Sequence, residues 1–190
     1  HGLRLDMVLL AVTCGLAYGK NLCAADPAAA VSIPADGRVL DLAGHLEILK
    51  DPKHAWTIRE VRSLQLSGQF ASPGPGVPHL GLTEDAVWVR FRIAEPIPDD
   101  WVLHVGWPYL AAVKLRELRQ NAGQRVVGRS PGERTFSAWG YPAPDGSAWT
   151  VYARFVSQGM LSLPMTLYAD AAHMDHQRVR SMGYGVYYGI

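Results

Sequence analysis

Residues 84–93 (EDAVWVRFRI) constrain the chain more than any other stretch. Val87, Val89, Phe91 and Ile93 alternate with Trp88, Arg90 and Arg92, the period of two that marks an extended strand with two unlike faces. One face is fit for a core. The other carries an indole and two guanidinium groups, an unusual load for the middle of a strand. Residues 148–156 (AWTVYARFV) repeat the pattern, with Trp149, Val151, Ala153 and Phe155 on one side and Tyr152 and Arg154 on the other. Two such strands in one sheet would hold Arg90 and Arg154 on a shared face, each one pleat from a ring, Trp88 and Tyr152.

The remaining segments are short and closely punctuated. Thirteen prolines and nineteen glycines are spread along the chain, which favours strands and turns over long helices. Residues 38–42 and 45–50 read as two short strands, and Asp51-Pro52 as a turn, because proline moves its predecessor out of the helical region. In TIREVR (57–62), Thr57 caps one helical turn, with Glu60 three residues on as its capping-box partner. Residues 70–78 (FASPGPGVP) read as a surface loop, 101–105 as a strand, 110–118 as a strand by context, and 123–128 as a short strand. Asp145-Gly146 marks a hairpin. Residues 160–168 read as a last strand, with Pro164 at an edge or bulge. About eight or nine strands without an internal repeat predict an all-β antiparallel sandwich.

Both ends differ from this centre. Arg4, the apolar run 7–16 and the small residues Cys23-Ala24-Ala25 have the layout of a secretion signal over residues 1–25. Residues 26–36 form a linker, 37–169 the sandwich and 170–190 a helix that Asp170 can cap. That helix begins polar and basic and ends with Tyr184, Tyr187 and Tyr188, rings suited to a membrane interface; a packed terminal helix is the alternative. Both cysteines, Cys14 and Cys23, fall in the signal. An exported chain without disulfides then fits a bacterial periplasm.

Net charge is +1, so the electrostatic footprint of a nucleic-acid binder is missing and the arginines must be judged locally. A guanidinium presents a planar fork of donors to a carboxylate, a phosphate or vicinal hydroxyls, and a neighbouring ring can pack on the apolar side of a sugar. Arg90, Arg154, Trp88 and Tyr152 are therefore candidate ligand-binding residues. The competing role for the arginines is pairing with Glu60, Glu84 or Asp85, or lying along the sheet to reach water. Trp139 and Tyr141, in a segment flanked by Gly and Pro, are further candidates as exposed rings. Trp149 has core parity, and His104 is a structural histidine. His173, Asp175 and His176 share a turn but read as a solvated face rather than a metal site. No nucleophile elbow, phosphate loop or zinc-protease motif occurs in the sequence. No cofactor, metal or catalytic residue is expected.

Five stretches in order, 46–61 (LEILKDPKHAWTIREV), 86–93 (AVWVRFRI), 101–108 (WVLHVGWP), 150–168 (TVYARFVSQGMLSLPMTLY) and 185–190 (GVYYGI), resemble the second type of extracellular sensor domain in bacterial seven-transmembrane receptors with diverse intracellular signalling modules. The resemblance implies a jelly-roll-like sandwich similar to carbohydrate-binding modules. It implies a small ligand, often carbohydrate, and a place on the periplasmic face of the inner membrane. The partners it implies are the receptor's own seven-helix membrane region, which 185–190 would lead into, and a cytoplasmic output domain. A non-binding structural or homodimerisation module is the alternative. Where that family usually has an Asn-containing turn before its Trp-x-Arg strand, this chain has HLGLT at 79–83.

Overall fold

The computed structural model describes residues 29–106, 111–127 and 135–188. Eleven strands occur among them: β1 Val39–Asp41, β2 Glu47–Asp51, β3 His79–Thr83, β4 Ala86–Ala94, β5 Trp101–Val105, β6 Ala111–Lys114, β7 Val126–Val127, β8 Thr135–Pro142, β9 Ala148–Val156, β10 Gly159–Ser162 and β11 Met165–Ala169. Four helices, α1 Ile58–Val61, α2 Leu64–Ser67, α3 Leu115–Gln120 and α4 Asp170–Tyr188, complete the elements used below. One sheet has the order β2-β4-β9-β8-β7, another β1-β11-β5-β6, and β10 with β3 forms a two-stranded ribbon. Every strand pairing is antiparallel. The fold is the all-β sandwich expected from the alternation, with a helix at its C-terminal end.

Periodicity accounts for the core. Val87, Val89, Phe91 and Ile93 of β4 join Val151, Ala153 and Phe155 of β9, Phe136 and Ala138 of β8, and Leu103, Val105, Met165 and Leu167 of the facing sheet in one cluster. Trp149 packs against it, as its parity predicts. Strand β4 runs through the middle of its sheet, paired with β2 on one side and β9 on the other. It is buried on both faces along most of its length.

Several boundaries differ from expectation for identifiable reasons. Of the stretch 110–118, Ala111–Lys114 is strand; Leu115 and Leu118, three apart, then turn inward on α3, the helical spacing overriding the strand-like context. Residues 160–168 are two strands, not one: β10 pairs with β3, whereas β11 lies between β1 and β5, and Pro164 sits where the chain passes between them. The stretch 79–83, not anticipated as a strand, is β3, with Gly81 at a φ of +68° that only glycine adopts without strain. In 70–78 the exposed loop begins after Phe70, which is buried, and Ala71 bridges Ile48. Val31, in the stretch read as a linker, is buried and forms a parallel bridge with Ile93. The signal at 1–25, Trp107 and the side chains of Tyr184, Tyr187 and Tyr188 lie outside the described residues. Among the described residues no helix is long and apolar enough to cross a membrane.

Candidate functional site

The outer face of the five-stranded sheet is a grid set by register. Glu47, Arg90, Tyr152 and Trp139 form one cross-strand row, and Leu49, Trp88, Arg154 and Ser137 the next. Arg92, Thr150 and Tyr141 form a third. All six candidate residues, Arg90, Arg154, Trp88, Tyr152, Trp139 and Tyr141, therefore share this face.

Residues 52–78, between β2 and β3, lie across it. Asp51, buried at the end of β2, accepts hydrogen bonds from the N–H groups of Ala55 and Trp56 at 3.1 and 3.0 Å and so folds the chain back. Thr57 then starts α1 with the complete capping box expected from TIREVR: its Oγ1 accepts from the Glu60 N–H, and Glu60 accepts from the Thr57 N–H at 2.7 Å. These hydrogen bonds stabilise the Glu60 carboxylate and lower its pKa. Val61 is thereby placed in a second apolar cluster with Phe70, Leu49, Trp88, Trp139 and Tyr152, on which Trp56, Ile58, Leu66 and Tyr141 pack.

The arginines differ in their surroundings. Arg90 is 5% exposed and makes a bidentate pair with Glu47, Nε to Oε2 at 2.8 Å and Nη2 to Oε1 at 3.0 Å. Its Nη1 donates to the Ser67 carbonyl and Oγ, and its guanidinium lies 4.4 Å from the Phe70 ring centre. The carboxylate it finds is none of Glu60, Glu84 or Asp85. Arg154 lies 5.7 Å from the Trp88 ring centre, and its Nε, like the Trp88 Nε1, is a buried donor without an acceptor among the described residues. Beside it, Arg125 Nε donates to Ser137 Oγ at 2.8 Å. Arg62, which follows α1, sits with its guanidinium carbon 3.5 Å above the centre of the Tyr141 ring.

Where α1 and α2 stop short of the hairpin between β8 and β9, a cavity of about 320 Å3 remains, lined by Arg62, Ser67, Arg90, Arg92, Tyr141, Thr150, Tyr152 and the turn residues Pro142, Ala143 and Pro144. Arg90, Tyr141 and Tyr152 among the candidates reach this wall. Trp88 and Trp139 instead pack on one another, tilted by 31° with ring centres 5.4 Å apart, beneath the cover, and Arg154 lies one row away. Trp139, expected as an exposed ring, is buried, and Tyr141 is half-buried. Arg62, Ser67 and Thr150 join the wall without having been singled out from the sequence, and so does Arg92, which its place near the strand end marks as a solvated charge rather than a candidate ligand residue. The capping box fixes where α1 starts, one turn before Arg62, and so carries the one local signal for it.

On the opposite sheet, His104 of β5 and Tyr168 of β11 meet His173 and His176 of α4, with ring centres 5.3–5.9 Å apart. Burial lowers the pKa of His173, opposed by the nearby Asp170. The described residues contain no group of three or more His, Cys, Asp or Glu placed to hold a metal. The helix begins at Asp170, whose carboxylate accepts from Lys114 Nζ at 3.3 Å.

A sequence model of the family described as 7TMR-DISM extracellular 2 matches residues 43–169. No curated protein matches the chain.

Proposed function

The chain belongs to the 7TMR-DISM extracellular 2 family, an extracellular sensor domain of membrane receptors rather than a catalytic family, and from that premise we propose that it is the periplasmic ligand-binding domain of a bacterial signalling receptor. It takes a small ligand such as a carbohydrate on the outer face of the five-stranded sheet. Occupancy is passed through α4 to a following seven-helix membrane region and an output domain inside the cell. The observation that carries this reading is the cavity between the α1–α2 cover and the β8–β9 hairpin, where side chains from three separate segments converge. A mostly preformed concavity with a few convergent polar groups is the usual form of a small-molecule site. Arg90 and Tyr152 form its floor. Arg154 and Trp88, with their two unpaired donors, extend the polar face beyond it.

Thermal unfolding of the full chain in the presence of sugars, uronic acids and amino acids tests the proposal, because a ligand that binds only the folded state raises its stability. A saturable rise in the wild type, lost in Ala143→Trp, which fills the cavity, is the expected result. No rise with any compound at high concentration would overturn it.

A second reading, a homodimerisation module of the receptor, is favoured by Leu82 and Met160. They face each other across the β3–β10 ribbon and are 82% and 71% exposed. Sedimentation of the wild type against Leu82→Glu separates the two: a dimer abolished by the substitution supports the module, and a monomer in both removes it.

A further inference from the structure

We propose that the ligand of this cavity is a small anion, held through carboxylate or phosphate oxygens by Arg62 and Arg92. The inference rests on the cavity being the ligand site. Among the described residues, three guanidinium groups and no carboxylate line the wall. That of Arg90 is already satisfied by Glu47 and Ser67. The described ion pairs of the chain use Arg38, Arg90, Lys114 and Arg119, and none uses Arg62 or Arg92. Asp145, in the adjoining hairpin, feels the charge of Arg92, but its Oδ1 accepts from the N–H and Oγ of Ser147 at 3.0 and 2.8 Å. Two positive charges without an ion-pair partner among the described residues thus border one concavity in a chain whose net charge is only +1. Charge of one sign focused in a cleft attracts the opposite sign, and a guanidinium fork matches the two oxygens of a carboxylate or phosphate.

Tyr141 points the same way. One face of its ring, which a neutral sugar could have used, is occupied by Arg62. The ring is held in turn by its hydroxyl, which donates to the Gly123 carbonyl at 3.3 Å, and by the edge of Tyr152. A Cβ at Gly123 would come within 3.2 Å of the Tyr141 ring, and its φ of +76° also favours glycine. The ring therefore serves to orient a guanidinium, which lowers the entropy lost when that guanidinium grips an anion. The volume, about 320 Å3, is at the small end of ligand sites and suits a molecule the size of one sugar acid.

Calorimetric titration of the full chain with D-glucuronate, D-galacturonate and glucose 6-phosphate, each against its neutral sugar, tests the inference. At least one acid is expected to bind saturably, at least about tenfold more tightly than its neutral counterpart, with added salt weakening it. Arg62→Gln and Arg92→Gln are each expected to weaken that binding about tenfold or more, and Arg38→Gln to leave it unchanged. Whether the uronates or the sugar phosphate respond identifies the source of the oxyanion. Without ligand, Arg92→Gln is expected to unfold close to the wild-type temperature, since Arg92 takes part in none of the described ion pairs and only the attraction of the solvated Asp145 is lost; a marked fall would make Arg92 a structural residue and overturn its role. A neutral sugar that binds as tightly as its acid, with binding intact in both arginine variants, would overturn the anion inference and leave the cavity a ligand site. No saturable binding of any of these compounds to the wild type would overturn the anion inference, and no thermal rise with any of the sugars, uronic acids and amino acids would overturn the ligand site itself.

Discussion

The two outer faces of the sandwich are both covered, but by different physics. On the five-stranded sheet the cover is the segment 52–78, fastened by an apolar cluster and by the hydrogen bonds that Arg90 gives Ser67, Arg90 being held in turn by its pair with Glu47 within the sheet, the two side chains each 6% exposed. On the four-stranded sheet the cover is α4, held through imidazole and phenol rings and through two solvated ion pairs, Arg38–Asp175 and Lys114–Asp170. Exposed pairs contribute little, whereas a buried charge that loses its partner is strongly destabilising. The first cover is therefore the more firmly held. The second is the one whose attachment can be adjusted by small changes, a useful property in the element that leads away from the sandwich.

The largest effect should come from unpairing the first face. Glu47→Ala strands the Arg90 guanidinium among Phe70, Ser67 and Tyr152 and is expected to cost about 3–5 kcal/mol in denaturant unfolding. The double variant Glu47→Leu, Arg90→Met should regain most of that loss, because the penalty lies in the abandoned charge rather than in the missing attraction. If the double variant is as unstable as the single, the pair is itself a net source of stability and the contrast between the covers must be redrawn in those terms.

A smaller loss is expected from Thr57→Ala, which removes the capping box that fixes the start of α1. Caps of this kind contribute about 0.5–2 kcal/mol. Because Arg62 follows that helix, the same substitution should also release the Tyr141–Arg62 stack, seen as broadening of the Tyr141 ring resonances in NMR. Sharp, unshifted resonances would show that Arg62 is held independently of the cap.

The smallest effect belongs to the second face and depends on pH. The folded-state pKa of His173 lies below the ordinary 6.5 because of burial, with His176 and Lys114 acting in the same direction and Asp170 against it. Below pH 6.5 the unfolded chain takes up a proton that the folded chain resists, so stability is full above that value and falls as pH drops towards the depressed one. The unfolding midpoint should therefore decline between pH 7.5 and 5, and His173→Gln should remove part of the decline. An unchanged slope in the variant would take His173 out of the account of how α4 is held.

Legibility in the sequence followed the range of the physics. The two alternating strands, the inward parity of Trp149, the capping box at Thr57 and the start of the tail helix at Asp170 are all decided within a few residues, and all were readable from residue spacing. That Arg90, Arg154, Trp88, Tyr152, Trp139 and Tyr141 lie on one face also follows from strand parity once β4, β8 and β9 adjoin. Where two local signals competed, as at 110–118, or where a crossing between sheets divided one apolar run, as at Pro164, spacing alone misled.

What only the tertiary structure decided is who meets whom across long loops. Glu47 reaches Arg90 from 43 positions away because β2 adds to the edge of β4 in one register, and no pattern near either residue encodes that register. Arg62 comes to rest on Tyr141 because the segment 52–78 folds back over the sheet. The sequence by itself determined the sandwich and the face that bears the arginines. The tertiary structure decided which arginine is spent on a carboxylate and which two border a cavity, because charge compensation depends on distances in space and alternation only on neighbours along the chain.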